Sequence, residues 1–202
     1  MSSETNFVAS DIYNGATLVD ALANESLDGL LEKMGCVDKA GIYVWLRRIS
    51  PQNARLGTPG TFLEWLVESL GRHQGVVSDN LRHIGRMTVD LGGSALSPGK
   101  QEAMKEFSSN FELLKDYKKA LSVFDYTQVL YVGESNQLHK RLGDHLRGNT
   151  DFAKRILALG YAWEELGLRV ISLPDCITNE QRLAIERSLA IWLLAPATSR
   201  AG

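Results

Sequence analysis

Residues 127–147 read TQVLYVGESNQLHKRLGDHLR, and the change of period inside this stretch decides the fold. TQVLYVG, 127–133, is short and rich in β-branched and aromatic side chains, which predicts a strand. In SNQLHKRLGDHLR, 135–147, Leu138, Leu142 and Leu146 recur every four residues, which predicts a helix with one apolar face. The same texture continues downstream. NTDFAKRILALG, 149–160, opens on an N-cap signal and closes on Gly160, a second helix. GLRVISL, 167–173, is a strand stopped by Pro174. TNEQRLAIERSLAIWLLA, 178–195, is a helix that starts on the capping box Thr178/Gln181 and ends at Pro196.

Upstream, GIYVWL at 41–46 has the composition of a buried strand. Between it and residue 127 the texture changes. RRISPQNARLGTPG, 47–60, is a loop by its Pro, Gly and polar content. Helical spacing returns over 62–71, over 77–87 and over 100–122, with the glycine-rich VDLGGSALSPGK at 89–100 between. The interval 47–126 is therefore a mostly helical insertion. Before the first strand, Leu18, Leu22, Leu27, Leu30, Leu31 and Met34 predict a helix over 17–34 with a break near 24–26, and residues 1–16 are an irregular lead-in. Without the insertion, the core (41–46 plus 127–202) has the order β–β–α–α–β–α, preceded by an N-terminal arm, 1–40.

The chain has 202 residues, 44% of them hydrophobic, with 22 basic against 24 acidic side chains and a net charge of −2. That excludes a disordered polyelectrolyte and a purely electrostatic nucleic-acid binder. The longest uncharged apolar-rich stretch, 188–199, falls short of the ~20 residues a membrane span needs. The N-terminus shows no signal-peptide pattern, and Cys36 and Cys176 alone make neither a disulfide framework nor a zinc site. A cytoplasmic protein is expected. The charge is unevenly spread: residues 1–46 hold seven acidic and two basic side chains, whereas 47–202 is net basic by three. A polyanionic partner is thus permitted.

The two Tyr-bearing strands, the run Tyr-Val-Gly-x-Ser-x-x-Leu-x-x-Arg-Leu-x-x-His at 131–145, and the helical Glu186 followed by Pro196 come in one order. This conjunction resembles the GIY-YIG nuclease family over close to half the chain. The resemblance implies an α+β fold with a small three-stranded antiparallel sheet flanked by helices, and a metal-dependent endonuclease acting on DNA. The nearest type is a site-specific restriction-like or host-defence enzyme. Residue by residue, it implies that Tyr43 acts on or beside the attacking water with Tyr131 near it. Arg141 would bridge phosphate oxygens, and Glu186 would hold Mg²⁺ or Mn²⁺. His145, four residues after Arg141 on the same helix face, would accept a proton.

Each of these residues also has an ordinary structural role. A strand Tyr is usually packing, a lone Arg on a helix usually solvated, a lone His usually surface or satisfied core. A Glu beside Ile185 and Leu189 can simply pair with Arg182 or Arg187. Gly41 and Gly133 read as backbone requirements at strand ends. Ser135 can cap the next helix or touch phosphate. Two positions depart from the family pattern. Glu134 follows the second-strand Gly where Lys or a small polar residue is common. Thr198 or Ser199 stands where an Asn commonly buttresses the site. GGSALSPGKQ, 92–101, has the wrong spacing for a phosphate loop and Gln101 where Ser/Thr is needed, so no nucleotide cofactor is expected. His73 and His83 lack Cys partners for a metal site.

The insertion is arginine-rich in its first half. Arg47, Arg48, Arg72, Arg82 and Arg86, with Lys140 of the core, are candidate DNA contacts, because Arg reads guanine edges and both residues bind phosphate. The competing role for the insertion is packing or dimerisation, and palindromic DNA sites would call for a homodimer. The competing function is a non-catalytic nucleic-acid-binding or assembly subunit, or a nuclease for branched, single-stranded or RNA substrates.

Overall fold

The structure, a computed structural model, describes residues 7–51, 56–80, 97–158 and 160–193, with side chains undescribed at 70–80 and 191. It divides into two units, residues 1–47 with 126–202 and residues 48–125.

In the first unit β3 (Gly41–Arg47) lies between β4 (Gln128–Ser135) and β5 (Leu166–Ser172), both antiparallel to it. Every residue of β3 is buried. A strand covered on both faces has no solvent side, so its sequence is a continuous apolar run rather than an alternation. Two short strands, β1 (Val8–Ala9) and β2 (Tyr13–Asn14), pair with the outer edge of β5. The fold is thus α+β, but its sheet has five strands where three are expected. The expected irregular lead-in, 1–16, is corrected at these positions. Two-residue strands carry no readable period, and tertiary pairing alone forms them while covering an exposed sheet edge.

The period-2 rule splits β3 between two cores. Tyr43 and Trp45 join one cluster with Leu18 and Leu31, Leu138 and Leu142, and Phe152. Those partners come from α1 (Gly15–Ala23), α2 (Leu27–Lys33), α6 (Leu138–Leu146) and α7 (Asp151–Ala158). Ile42, Val44 and Leu46 join the other cluster, with Ile185, Leu189 and Ala190 of α8 (Asn179–Trp192). Each large side chain buried this way contributes roughly 1.5–3 kcal/mol. Opposite Trp45/Leu46 the ladder shifts register, from Trp45↔Tyr131 to Leu46↔Val129, so Leu130 is an extra residue on β4. Leu130 and Tyr131, though consecutive, both pack on the Tyr43 side.

Local signals place the helix ends. Asn14 accepts from the Ala16 N–H at the start of α1 (2.7 Å). The helix expected over 17–34 is broken into α1 and α2, with Glu25 at φ 54° in the break. The box at 178–181 forms: the Thr178 N–H donates to Gln181 Oε1 (2.8 Å) and the Gln181 N–H to Thr178 Oγ1 (3.2 Å).

Among the described residues the second unit has α3 (Pro59–Asn80), α4 (Pro98–Ser108) and α5 (Phe111–Ser122). Leu56, Phe62, Trp65 and Leu114 form its core, flanked by Met104, Phe107 and Tyr117. The single helix expected over 100–122 is two, because Asn110 restarts it by accepting from the N–H groups of Glu112 and Leu113. The stop expected at Gly71 is also overruled, since α3 runs through it. Asp125 fastens the ends of the unit together, its carboxylate accepting from the Ile49 N–H (2.8 Å), the Ser50 N–H (2.6 Å) and the Ser50 hydroxyl (2.6 Å).

Candidate active site

Two adjacent strands and the helix that follows them bring four of the expected residues together. Tyr43 projects from the middle of β3 and has no exposed surface. Its hydroxyl oxygen accepts from Arg141 Nε of α6 at 3.3 Å and lies 2.8 Å from His145 Nε2. Arg141 and His145 meet the same oxygen because a spacing of four puts them on one helix face. Tyr131 of β4 completes the group, its ring centroid 6.0 Å from that of Tyr43 and 6.1 Å from that of His145.

His145 is as buried as Tyr43, and its Nδ1 lies 2.6 Å from Thr150 Oγ1. A neutral imidazole donates from one ring nitrogen and accepts at the other, so His145 bonds to both the Tyr43 hydroxyl and Thr150 Oγ1. Thr150 Oγ1 also accepts from the Ala153 N–H (3.2 Å), which makes it the N-cap of α7. Gly148, at φ 80°, turns the chain out of α6 so that Thr150 returns to His145.

Burial sets the electrostatics. Desolvation, then the Arg141 charge, pulls His145 down to about 3, so it is neutral at pH 7. Desolvation, then the neighbouring Tyr131, raises the Tyr43 pKa, and Arg141 opposes that rise. The pair is therefore a protonated phenol facing a neutral imidazole. Arg141 and Tyr131 are only half-buried and form the outward side of the group.

Gly133 lies directly opposite Tyr43. A Cβ there would overlap the phenol end of Tyr43 and the ring of Tyr131. The glycine expected as a strand-end requirement is thus a space requirement of the two tyrosines. At Gly41 a Cβ would overlap the Ile171 carbonyl of β5 and Leu138.

The remaining expectations divide. Glu186 is half-buried on α8, the helix that packs on the other face of the sheet from Tyr43. Arg182 pairs with Glu134 (Nε to Oε2, 2.6 Å) and also donates to Asn179 Oδ1 (2.5 Å). Glu134, opposite Ile42, therefore points to the α8 side of the sheet and its charge is matched there. Ser135 Oγ accepts from the Gln137 N–H (3.0 Å), a turn contact ahead of α6. Lys140 is exposed on α6. Two of the proposed DNA contacts are engaged within the chain. Arg47 is buried, with its guanidinium over the Tyr161 ring (5.6 Å to the centroid) and near Gln128 Oε1 (3.5 Å). It ends the central strand. Arg48 is turned onto Ser50 (3.2 Å) and Asp125 (3.6 Å). Arg82, Arg86, Thr198 and Ser199 lie outside the described residues, as does the Arg72 side chain.

Among the described residues no three His, Cys, Asp or Glu side chains come together, so no protein cage for a metal is built there. Glu186, on the helix across the sheet from Tyr43, offers one carboxylate, so an ion held there would be completed by water and phosphate. Thr150 and Phe152 are the members the sequence does not announce. Phe152 packs against both Tyr131 (centroids 4.5 Å) and His145 (5.1 Å). Among the described residues no helix is long and apolar enough to cross a membrane. Compared with known protein families, with curated proteins and with solved structures, the chain matches none of them.

Proposed function

We propose that the chain is a GIY-YIG-type endonuclease that hydrolyses phosphodiester bonds of DNA with Mg²⁺ or Mn²⁺. It would act in the cytoplasm as a site-specific, restriction-like or host-defence enzyme, as a homodimer where its sites are palindromic. The observation that carries this reading is the Tyr43 hydroxyl held between the Arg141 guanidinium and a neutral His145. The order β3, β4, α6, α7, β5, α8 supports it as the three-stranded, helix-flanked core of that family.

The residues divide the work as follows. Arg141, half-buried and 3.3 Å from the phenol, leaves it for a phosphate, where its planar fork matches two oxygens. The freed Tyr43 oxygen takes a proton from the attacking water while its own hydrogen passes to His145 Nε2. A His145 held at about 3 is a weak base. Departure of the Arg141 charge removes one of the two causes of that low value, so substrate binding itself improves the acceptor. Tyr131 lines the outward side. Glu186 with water would hold the metal ion, which when bound withdraws charge from a phosphate oxygen.

The test is incubation of supercoiled plasmid with wild type, Tyr43→Phe and Glu186→Gln in Mg²⁺ or Mn²⁺. Wild type should cut only with metal, and Tyr43→Phe should be slower by roughly 10²–10⁴-fold. Undiminished cleavage by Glu186→Gln would remove Glu186 from the reading. The complete burial of Tyr43 and His145 favours one competing reading, a nucleic-acid-binding subunit that keeps the cluster as a buried polar network. Wild type that binds DNA but never cuts it selects that alternative.

A further inference from the structure

The second unit carries a groove of about 480 Å³ lined by Leu56, Phe111, Lys115, Lys118, Lys119 and Ser122. We propose that this groove holds an unpaired nucleic-acid strand, with a base on the Phe111 ring and phosphates on the α5 lysines. The proposal rests on the nuclease reading only for the identity of the polymer.

The chemistry of the lining selects the occupant. Among the described residues its apolar lining is Leu56 and Phe111, and Phe111 remains 51% exposed. A half-exposed flat ring lining a cationic groove is a stacking platform that accepts any base. The Lys115 ammonium already stands 4.6 Å from the Phe111 centroid, so the ring is flanked by positive charge. Lys115, Lys118 and Lys119 recur at helical spacing along one side of α5, and no carboxylate is among the described residues that line the groove. Glu112 and Asp116 hold Lys115 (3.0 Å) and Lys119 (3.3 Å), but all four side chains are exposed. Such surface pairs are weak, and phosphate oxygens replace carboxylates at little cost. An acidic peptide would use the lysines and leave the ring idle. A duplex would offer phosphates but keep its bases inside the stack. An unpaired strand uses both. In the arginine-rich half of the insertion the described arginine side chains are Arg47, which is buried, and Arg48, which pairs with Asp125.

The test measures binding, not cleavage. A short fluorescein-labelled oligothymidylate is titrated with the full-length protein in EDTA, and anisotropy is followed over a range of salt. Phe111→Leu should weaken binding roughly 5- to 150-fold, the range for losing one base–aromatic stack. Lys118→Ala/Lys119→Ala should lower the slope of log K against log salt by about 1.4, the value for two phosphates of a single strand. Circular dichroism and urea midpoints confirm that these exposed-face variants fold. A hairpin duplex of the same composition should compete poorly, and so should polyglutamate. Failure to bind oligothymidylate, wild-type affinity in Phe111→Leu, or better competition by the duplex or polyglutamate overturns the proposal. If oligothymidylate is not bound while plasmid is still cut, only the groove assignment falls. If it is bound while plasmid is never cut, only the nuclease reading falls.

Discussion

Replacing Thr150 by Val removes one oxygen at the junction of two hydrogen bonds and leaves the side-chain volume almost unchanged. Thr150 is 5% exposed, so water does not take the place of the lost oxygen. His145 Nδ1, at 2.6 Å, loses its partner on a ring with no exposed surface. Leaving that buried group unsatisfied costs about 1–3 kcal/mol. The Ala153 N–H, at 3.2 Å, loses the N-cap acceptor of α7, which costs about 1 kcal/mol. Together the two losses predict a destabilisation of about 2–4 kcal/mol. Thr150→Ser keeps the oxygen and gives up one methyl, about 1 kcal/mol. Urea denaturation of the full chain reads both variants. Imidazole ¹⁵N shifts of His145 give a second readout, because Nδ1 loses its hydrogen-bond partner at Thr150. In a double-mutant cycle, Thr150→Val and Tyr43→Phe should couple by more than about 0.5 kcal/mol, since His145 joins the two residues. A Val variant within about 0.5 kcal/mol of the Ser variant, or an unchanged His145 Nδ1 shift, refutes the reasoning.

Three further outcomes follow from neighbouring contacts. His145 is held at about 3 in the folded chain against 6.5 for the free side chain, so unfolding takes up a proton between those values. Its contribution to stability is full above pH ~6.5 and is lost as pH falls toward ~3, with a slope approaching ~1.4 kcal/mol per pH unit. His145→Gln should flatten that slope in urea titrations between those limits, and an unaltered slope would assign it elsewhere. Gly133→Ala forces a methyl into the Tyr43 phenol and the Tyr131 ring, and should cost about 1–3 kcal/mol or more by urea midpoint. A neutral Ala would mean that the two rings do not occupy that space. Arg182→Ala strands the nearly buried Glu134 carboxylate and should cost about 3–5 kcal/mol, whereas Glu134→Leu/Arg182→Met should cost less than either single change.

How much was legible depends on how local each signal is. Period and caps are local, and they gave β3, β4, β5, α6, α7 and α8 to within a few residues. The Thr178/Gln181 box is complete within four residues and formed as read. The pairing of β1 and β2 with β5 is not local, since Val8 meets Ser172 across nearly the whole chain. No period could announce it. In the site, Arg141 and His145 were readable as one helix face, and Tyr43 and Tyr131 as strand residues. Thr150 was hidden because its cap role fully accounts for a Thr ahead of a helix. The inward turn of Arg47 was hidden because burial of a cation depends on partners elsewhere, here Tyr161 and Gln128. The path of Glu134 was set in the same way by Arg182, on a helix that the β4 sequence does not mention.

The extra residue at Leu130 bears on how this gene tolerates length change. Residues 131–135 pair with 41–45 in one phase, and 128–129 pair with 46–47 in a phase one residue out. Removing Leu130 would bring the two phases together and leave every cross-strand partner of Tyr131 and Gly133 as it is, at the loss of one core side chain. Removing any residue from 131–135 would instead swap which side chains face Tyr43. The bulge therefore works as a slack joint on the side of β4 that leads back to the second unit. A one-residue length change at Leu130 is taken up between the two phases, and the partners of Tyr131 and Gly133 stay in place.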